Sequence, residues 1–140
     1  MSGEKFADAV TMVNAYLARY VRQTHQEPVA LDESGYAQLH QGTTTVGVNV
    51  LEDRGVLMLF APVIPVPPVG VERLYRRLLE ASFVQTSDAA FAIDRTRDEV
   101  VVRSLRRLSA LDYEEFEDLV VTVSQVADSW HDELRREFER

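Results

Sequence analysis

Residues 56–61 read Val-Leu-Met-Leu-Phe-Ala, and an extended segment of this composition has no polar face. Alternate side chains of a strand point to opposite sides. Leu57, Leu59 and Ala61 therefore fall on one face, and Val56, Met58 and Phe60 on the other. Such a strand belongs deep in a sheet. Residues 89–93 repeat the pattern, with Ala89, Phe91 and Ile93 opposite Ala90 and Ala92. An antiparallel hairpin in a small domain ordinarily turns one face to water. A chain of 140 residues is expected to form one domain, 1–140, around one core. Its helices offer one apolar stripe each and cover roughly one face of a sheet.

The remaining elements follow from periodicity. Phe6, Ala9, Val13, Tyr16, Leu17, Tyr20 and Val21 recur at helical spacing and predict a helix over about 4–24, with Ser2 as its candidate cap. Pro28 ends it, and a short strand is allowed within 25–35. β-branched residues punctuated by Gly42 and by Glu-Asp-Arg-Gly at 52–55 predict strands at about 36–41, 43–51 and 55–62. Residues 62–68 hold four of the five prolines. Proline has no amide hydrogen for a ladder, so this stretch is expected to be a stiff extended linker. Pro62 and Pro65 also satisfy P-x-x-P, the pattern read by proline-binding domains. A second helix is predicted over 69–82, with Val71, Leu74, Tyr75, Leu78 and Leu79 on one side, followed by a hairpin through 105.

The last helix has the clearest start. Asp112 stands three residues before Glu115, a variant of the capping box, with Leu111 and Phe116 in the positions of a hydrophobic staple. No Gly or Pro interrupts the chain to about 139, which implies a helix of roughly 40 Å, longer than the body of a 140-residue globule would support unaided. The order is therefore α-β-β-β-(β)-α-β-β-α, an α+β fold with an antiparallel sheet packed by helices.

Charge narrows the function. Asp and Glu number 23 against 15 Lys and Arg, a net charge of −8, and such a field repels phosphate backbones. Lys5 is the only lysine. Arg73, Arg76, Arg77, Arg103, Arg106 and Arg107 form the one basic cluster, and arginine forks suit carboxylates equally well. No cysteine is present, which excludes disulfides, thiolate zinc sites and thiol nucleophiles. No apolar run nears the length of a membrane span, and the first ten residues lack the pattern of a signal peptide. The expectation is a cytoplasmic protein without nucleic-acid or membrane partners.

Catalytic motifs are missing. Gly42 to Gly47 has the spacing that opens a phosphate-binding loop, but Val48 and Asn49 stand where Lys and Ser/Thr are required. His25, His40 and His131 lie in different elements. Asp128 and His131 share a helix face, which supplies half a metal site or a surface hydrogen-bonded pair. The carboxylates at 112–118 fit a solvated helix start better than an acid–base pair. No enzyme activity, cofactor or metal is expected.

The stretch 78–130 carries Leu-Leu-Glu-Ala-Ser closing the second helix, Ala-Phe-Ala-Ile-Asp and Asp-Glu-Val-Val-Val-Arg-Ser-Leu in the hairpin, Leu-Asp-Tyr-Glu-Glu-Phe-Glu-Asp-Leu-Val opening the last helix, and Trp130. In these features it resembles the type III secretion chaperone-like superfamily, which includes the Tir-chaperone family and the YbjN-like proteins. The proline segment and the looser match over 4–62 point toward the YbjN-like branch or a chaperone-like relative. The resemblance implies a non-enzymatic homodimer that holds an extended segment of a partner protein without ATP. The alternative is a YbjN-like regulatory or small-ligand-binding module. The expected dimer interface is Leu74, Tyr75, Leu78 and Val101 with Arg103 at its rim, and the expected partner-binding surface is Met12, Tyr16, Tyr20, Trp130 and Phe138. One prediction follows from the capping pattern: Asp112→Ala is expected to cost about 1 kcal/mol, measured by urea unfolding.

Overall fold

The computed structural model describes residues 6–138. Helix α1 (Ala9–Gln23) leads into β1 (Tyr36–Gln41), β2 (Thr44–Leu51) and β3 (Val56–Pro65), followed by α2 (Val71–Val84), β4 (Ala90–Asp94), β5 (Glu99–Arg107) and α3 (Tyr113–Phe138). The five strands form one antiparallel sheet in the order β1-β2-β3-β5-β4. The expected α+β architecture is present, with no strand between α1 and β1. α1 begins later than its periodicity suggested because Asp8 caps it, accepting a hydrogen bond from the Thr11 amide at 2.7 Å. Ser2 lies outside the described residues.

β3 occupies the centre of the sheet, and the two faces predicted for it are unequal. Leu57, Leu59, Ala61 and Val63 are buried, together with Val46, Val48, Val50, Val100 and Val102 of the flanking strands. Against them pack Val13 and Leu17 of α1 and Leu119, Val120 and Val123 of α3. Each buried valine or leucine among them contributes roughly 1.5–3 kcal/mol of transfer free energy. The opposite face carries Val56, Met58 and Phe60, all half-buried, and Leu105, which is exposed.

The prolines behave differently from the expected linker. β3 runs on to Pro65 while pairing with β5, yet its pairing with β2 ends at Phe60. Beyond that point one side of β3 is an edge, where missing amide hydrogens cost little. A bulge between Pro62 and Ile64 turns Val63 and Ile64 inward together. The His131 Nδ1–H donates to the Val63 carbonyl at 2.7 Å, and because a carbonyl only accepts, the proton resides on Nδ1. His131 thus braces the bulge instead of pairing with Asp128. Pro62 and Pro65 are committed to the sheet and form no polyproline ligand.

α3 starts as its sequence indicates. Asp112 accepts from the Glu115 amide at 2.8 Å, and Leu111 and Phe116 are both buried. The capping box stays half-made because the Glu115 carboxylate turns to Arg106, 3.4 Å away. The far end of this 26-residue helix rests on α2. Arg77 donates to both oxygens of Glu137 at 3.1 and 3.3 Å, and its guanidinium lies 4.9 Å from the Trp130 ring centre. Arg73 sits 4.3 Å over Phe138, and Trp130 meets Phe91 of β4 edge-to-face at 5.5 Å.

On the uncovered face, Gly47 is paired with Phe60 across β2 and β3, and the Phe60 ring lies directly over it. A Cβ built on Gly47 would come within 2.6 Å of that ring. Gly47→Ala is expected to swing the ring away and cost about 1 kcal/mol, the low end for overpacking. In a thermal-unfolding double-mutant cycle, Phe60→Ala should remove most of that penalty.

Candidate partner-binding surfaces

Among the described residues, the surfaces left after the core is assembled include the outer side of α2, the uncovered sheet face, the edge of β1 and a groove beside Met12. The first is the most apolar. Tyr75, Leu79 and Phe83 follow one another at four-residue spacing and so share a face, with Val69 and Val84 at its ends. Leu79 is 75% exposed, Phe83 87% and Val84 71%. Arg76 and Glu80 pair with each other at 3.3 Å beside this stripe. Leu74, Leu78 and Ala81 turn inward and join the core.

The sequence-predicted interface residues therefore divide. Leu74 and Leu78 are buried within the subunit and present nothing to a second one. Tyr75 is exposed, while Val101 and Arg103 belong to the uncovered sheet face, where Val101 is shielded by its neighbours. The stripe was legible only in part. The helical pattern sets Leu79 on one side together with Leu74, Tyr75 and Leu78, and Phe83 and Val84 lie past the predicted helix end at 82. Carrying the helix one half-turn further exposes the i, i+4, i+8 set.

The predicted partner-binding residues also separate. Tyr16 and Tyr20 are buried, at 3% and 2% exposure. The Tyr16 hydroxyl donates to the Leu111 carbonyl at 3.3 Å, and that of Tyr20 donates to the Gln41 side chain. Both rings are also in contact with Phe116. These tyrosines tie α1 to α3 and β1, which leaves little of either ring for docking, Tyr16 showing only an edge in the groove that Met12 lines. Met12 is half-buried and lines an open groove of about 680 Å³ together with Phe6, Leu108 and Leu111. Trp130 and Phe138 are half-buried beneath Arg77 and Arg73.

The sheet edges are finished by side chains. At β4 the Ser82 hydroxyl of α2 accepts from the Phe91 amide at 3.0 Å. At β1 the Tyr36 amide donates to Asp32 Oδ1 at 3.0 Å, and the Tyr36 carbonyl accepts from the Asp32 amide at 2.8 Å. Four residues on, Gln26 Oε1 accepts from the His40 amide at 3.1 Å while Gln26 Nε2 donates to the His40 carbonyl at 2.7 Å.

Electrostatics adds little chemistry. Hydrogen bonds, from the Ser34 side chain first and then from the Tyr36 amide, hold the Asp32 carboxyl below the usual range. Burial, followed by nearby negative charge that includes Glu117, raises the phenols of Tyr20 and Tyr113. The hydrogen bond to Asp88 raises the already high pKa of the Arg106 guanidinium. Among the described residues no cluster of three or more His, Asp or Glu is arranged to hold a metal, and no helix is long and apolar enough to cross a membrane.

The sequence profile described as the Tir chaperone protein (CesT) family matches residues 16–131. No curated protein sequence is significantly similar to the chain. Among solved structures, a chain of the ExsC–ExsE complex is 25% identical, with a TM-score of 0.75 over 89% of this chain and 95% of that one. A chain of the HopA1–SchA chaperone–effector complex is 13% identical, with a TM-score of 0.66 over 86% and 97%. One from the heterodimeric ExoU–SpcU complex of the Pseudomonas aeruginosa type III secretion system is 17% identical, with a TM-score of 0.63 over 91% and 98%.

Arg77→Ala is expected to free the end of α3. The pair is about 70% buried on each side; its loss together with the cation–π contact should cost about 1–2 kcal/mol. Hydrogen exchange should quicken over 130–138, and Arg77→Lys should restore little because an ammonium cannot make the fork.

Proposed function

Because the chain belongs to the Tir chaperone protein (CesT) family, we propose that it is a non-enzymatic chaperone that holds an extended segment of a partner protein as a homodimer. The observation that carries the dimer is the stripe Tyr75, Leu79, Phe83 and Val84. A contiguous apolar surface on an amphipathic helix is a mark of an interaction site. A twofold contact is the commonest way to cover such a surface, and it presents the same patch from both subunits. Laying α2 antiparallel against its symmetry mate puts Leu79 near the axis and Tyr75 opposite Phe83. Arg103 and the half-buried Met58 and Phe60 then remain on the open sheet face.

The holding of a partner is supported by the kind of structure the chain resembles, since the similar folds include complexes of a chaperone with an effector. An extended segment suits what this chain leaves open: a flat apolar sheet face, the groove beside Met12, and a strand edge. The family supports the Tir-chaperone branch in preference to the YbjN-like regulatory alternative. A protein of this kind would work in the cytoplasm, where its partner is made.

Light scattering is expected to give twice the 15.9 kDa chain mass at micromolar concentration. Leu79→Glu combined with Phe83→Glu should yield a folded monomer with an unchanged circular dichroism spectrum, because both side chains are exposed in the subunit. A wild-type monomer at that concentration would sink the dimer. Affinity capture from native cells should retain a protein in stoichiometric amount; retention of a small molecule alone would favour the ligand-binding alternative.

A further inference from the structure

Arg103 and Arg107 are the two members of the basic cluster that the fold leaves unused. They stand four residues apart on β5 with Leu105 midway. All three point to the uncovered face of the sheet, because the buried Val102 and Ser104 point to the other. Among the described residues neither guanidinium makes an ion pair, a side-chain hydrogen bond or a cation–π contact.

Their neighbours are apolar. In register, Arg103 lies beside Phe60 of β3 and Ala90 of β4, Leu105 beside Met58, and Arg107 beside Val56. Met58 and Phe60 are half-buried and Leu105 is exposed. The face therefore presents a positive charge, an apolar patch and a second positive charge in line, over roughly 14 Å at the spacing of a strand.

The net charge of −8 does not cancel this local pattern. Asp94 and Glu99 pair in register at the far end of the β4–β5 hairpin. Glu99 is four residues from Arg103, again roughly 14 Å along the strand, and charges are screened over about 8 Å at physiological ionic strength. Glu52 and Asp53, in the turn before β3, are exposed and make no ion pair with Arg107. A wholly apolar occupant would strip water from both guanidinium groups and leave them without partners, which disfavours it. An occupant that brings carboxylates meets each fork with paired, charge-assisted hydrogen bonds.

We propose that the open face of the sheet receives an acidic stretch of the partner protein, with two carboxylates on Arg103 and Arg107 and an apolar side chain between them on Leu105 and Met58. This rests on the reading of the chain as a holder of extended segments. Alternate side chains of an extended stretch point to one side, so the sequence that fits is acid-x-apolar-x-acid, its first, third and fifth residues matching the three positions on β5. Contact is through side chains over the face and leaves the strand edges as they are. The two arginines then select among extended segments, because neutral or basic ones leave the forks unmatched.

The test uses the full chain and three blocked peptides that share a threonine-leucine-threonine centre and carry glutamate, glutamine or lysine on both sides of it. Calorimetry is expected to give the glutamate peptide roughly tenfold tighter binding than the glutamine peptide, an advantage that high salt removes, and the weakest binding for the lysine peptide. Arg103→Gln combined with Arg107→Gln should abolish the advantage and leave the circular dichroism spectrum unchanged, since neither side chain is paired within the fold. Equal affinity for the glutamate and glutamine peptides, or an advantage that survives the double substitution, would overturn the proposal. Absence of binding by all three would overturn the face as a docking surface. Loss of the advantage in the Leu79→Glu, Phe83→Glu monomer would assign the arginines to a contact between copies of the chain and overturn it likewise. The capture experiment does not depend on Arg103 or Arg107 and decides separately whether the chain holds a partner.

Discussion

The packing of α3 across β3 is the contact on which the other features depend. α3 presents Leu119, Val120, Val123 and Ala127 to the sheet, and β3 answers with Leu57, Leu59, Ala61 and Val63. Because β3 is central, fixing it beneath α3 fixes β2 and β5 by their ladders, and β1 and β4 in turn. The bulge at Pro62 bends the end of β3 toward α3, where His131 takes up the carbonyl that the bulge leaves unpaired. Both partners of this contact are apolar, so it is strong but lacks direction. Alignment comes from the polar ties at the ends of α3: Asp112 with Glu115 and Arg106 at one, Arg77 with Glu137 at the other.

α2 is held by few contacts and does four things. Its inward residues Leu74, Leu78 and Ala81 complete the core beside β4. Arg73 and Arg77 support the end of α3, and Ser82 closes an edge of the sheet. Its outward residues carry most of the large exposed apolar side chains among the described residues. A helix so placed links two requirements, because whatever covers the stripe also steadies α3. The arginines of the basic cluster are mostly spent on this internal work: Arg76, Arg77 and Arg106 are ion-paired, and Arg73 lies on Phe138. A basic cluster in an acidic chain thus serves its own carboxylates and aromatic rings.

Among the described residues no cluster of three or more His, Asp or Glu is arranged to hold a metal, and the chemistry of the α2 stripe, the open sheet face and the β1 edge is apolar area and backbone pairing. Such surfaces select for shape and extension of a partner, with affinity from main-chain bonds and specificity from side-chain pockets. That is the chemistry expected of a protein in the Tir chaperone family.

The order of elements, the two-faced character of β3 and the start of α3 were decided by the sequence alone, since each depends on near neighbours: alternation within a strand, spacing along a helix, a carboxylate three residues from an amide. Tertiary structure decided which apolar residues are surface. Tyr16 and Tyr20 carry the same pattern as a docking stripe, yet α3 and β1 close over them and bond their hydroxyls. Leu74 and Leu79 are equally apolar and five residues apart on one helix, and only the position of the helix at the sheet edge sends one inward and the other out. The proline segment became strand because β2 stops short beside it, and Gln26 became an edge cap because the turn after α1 points it at His40. Each of these depends on residues distant in the chain meeting in space, and local pattern has no means of encoding which of several similar faces is met.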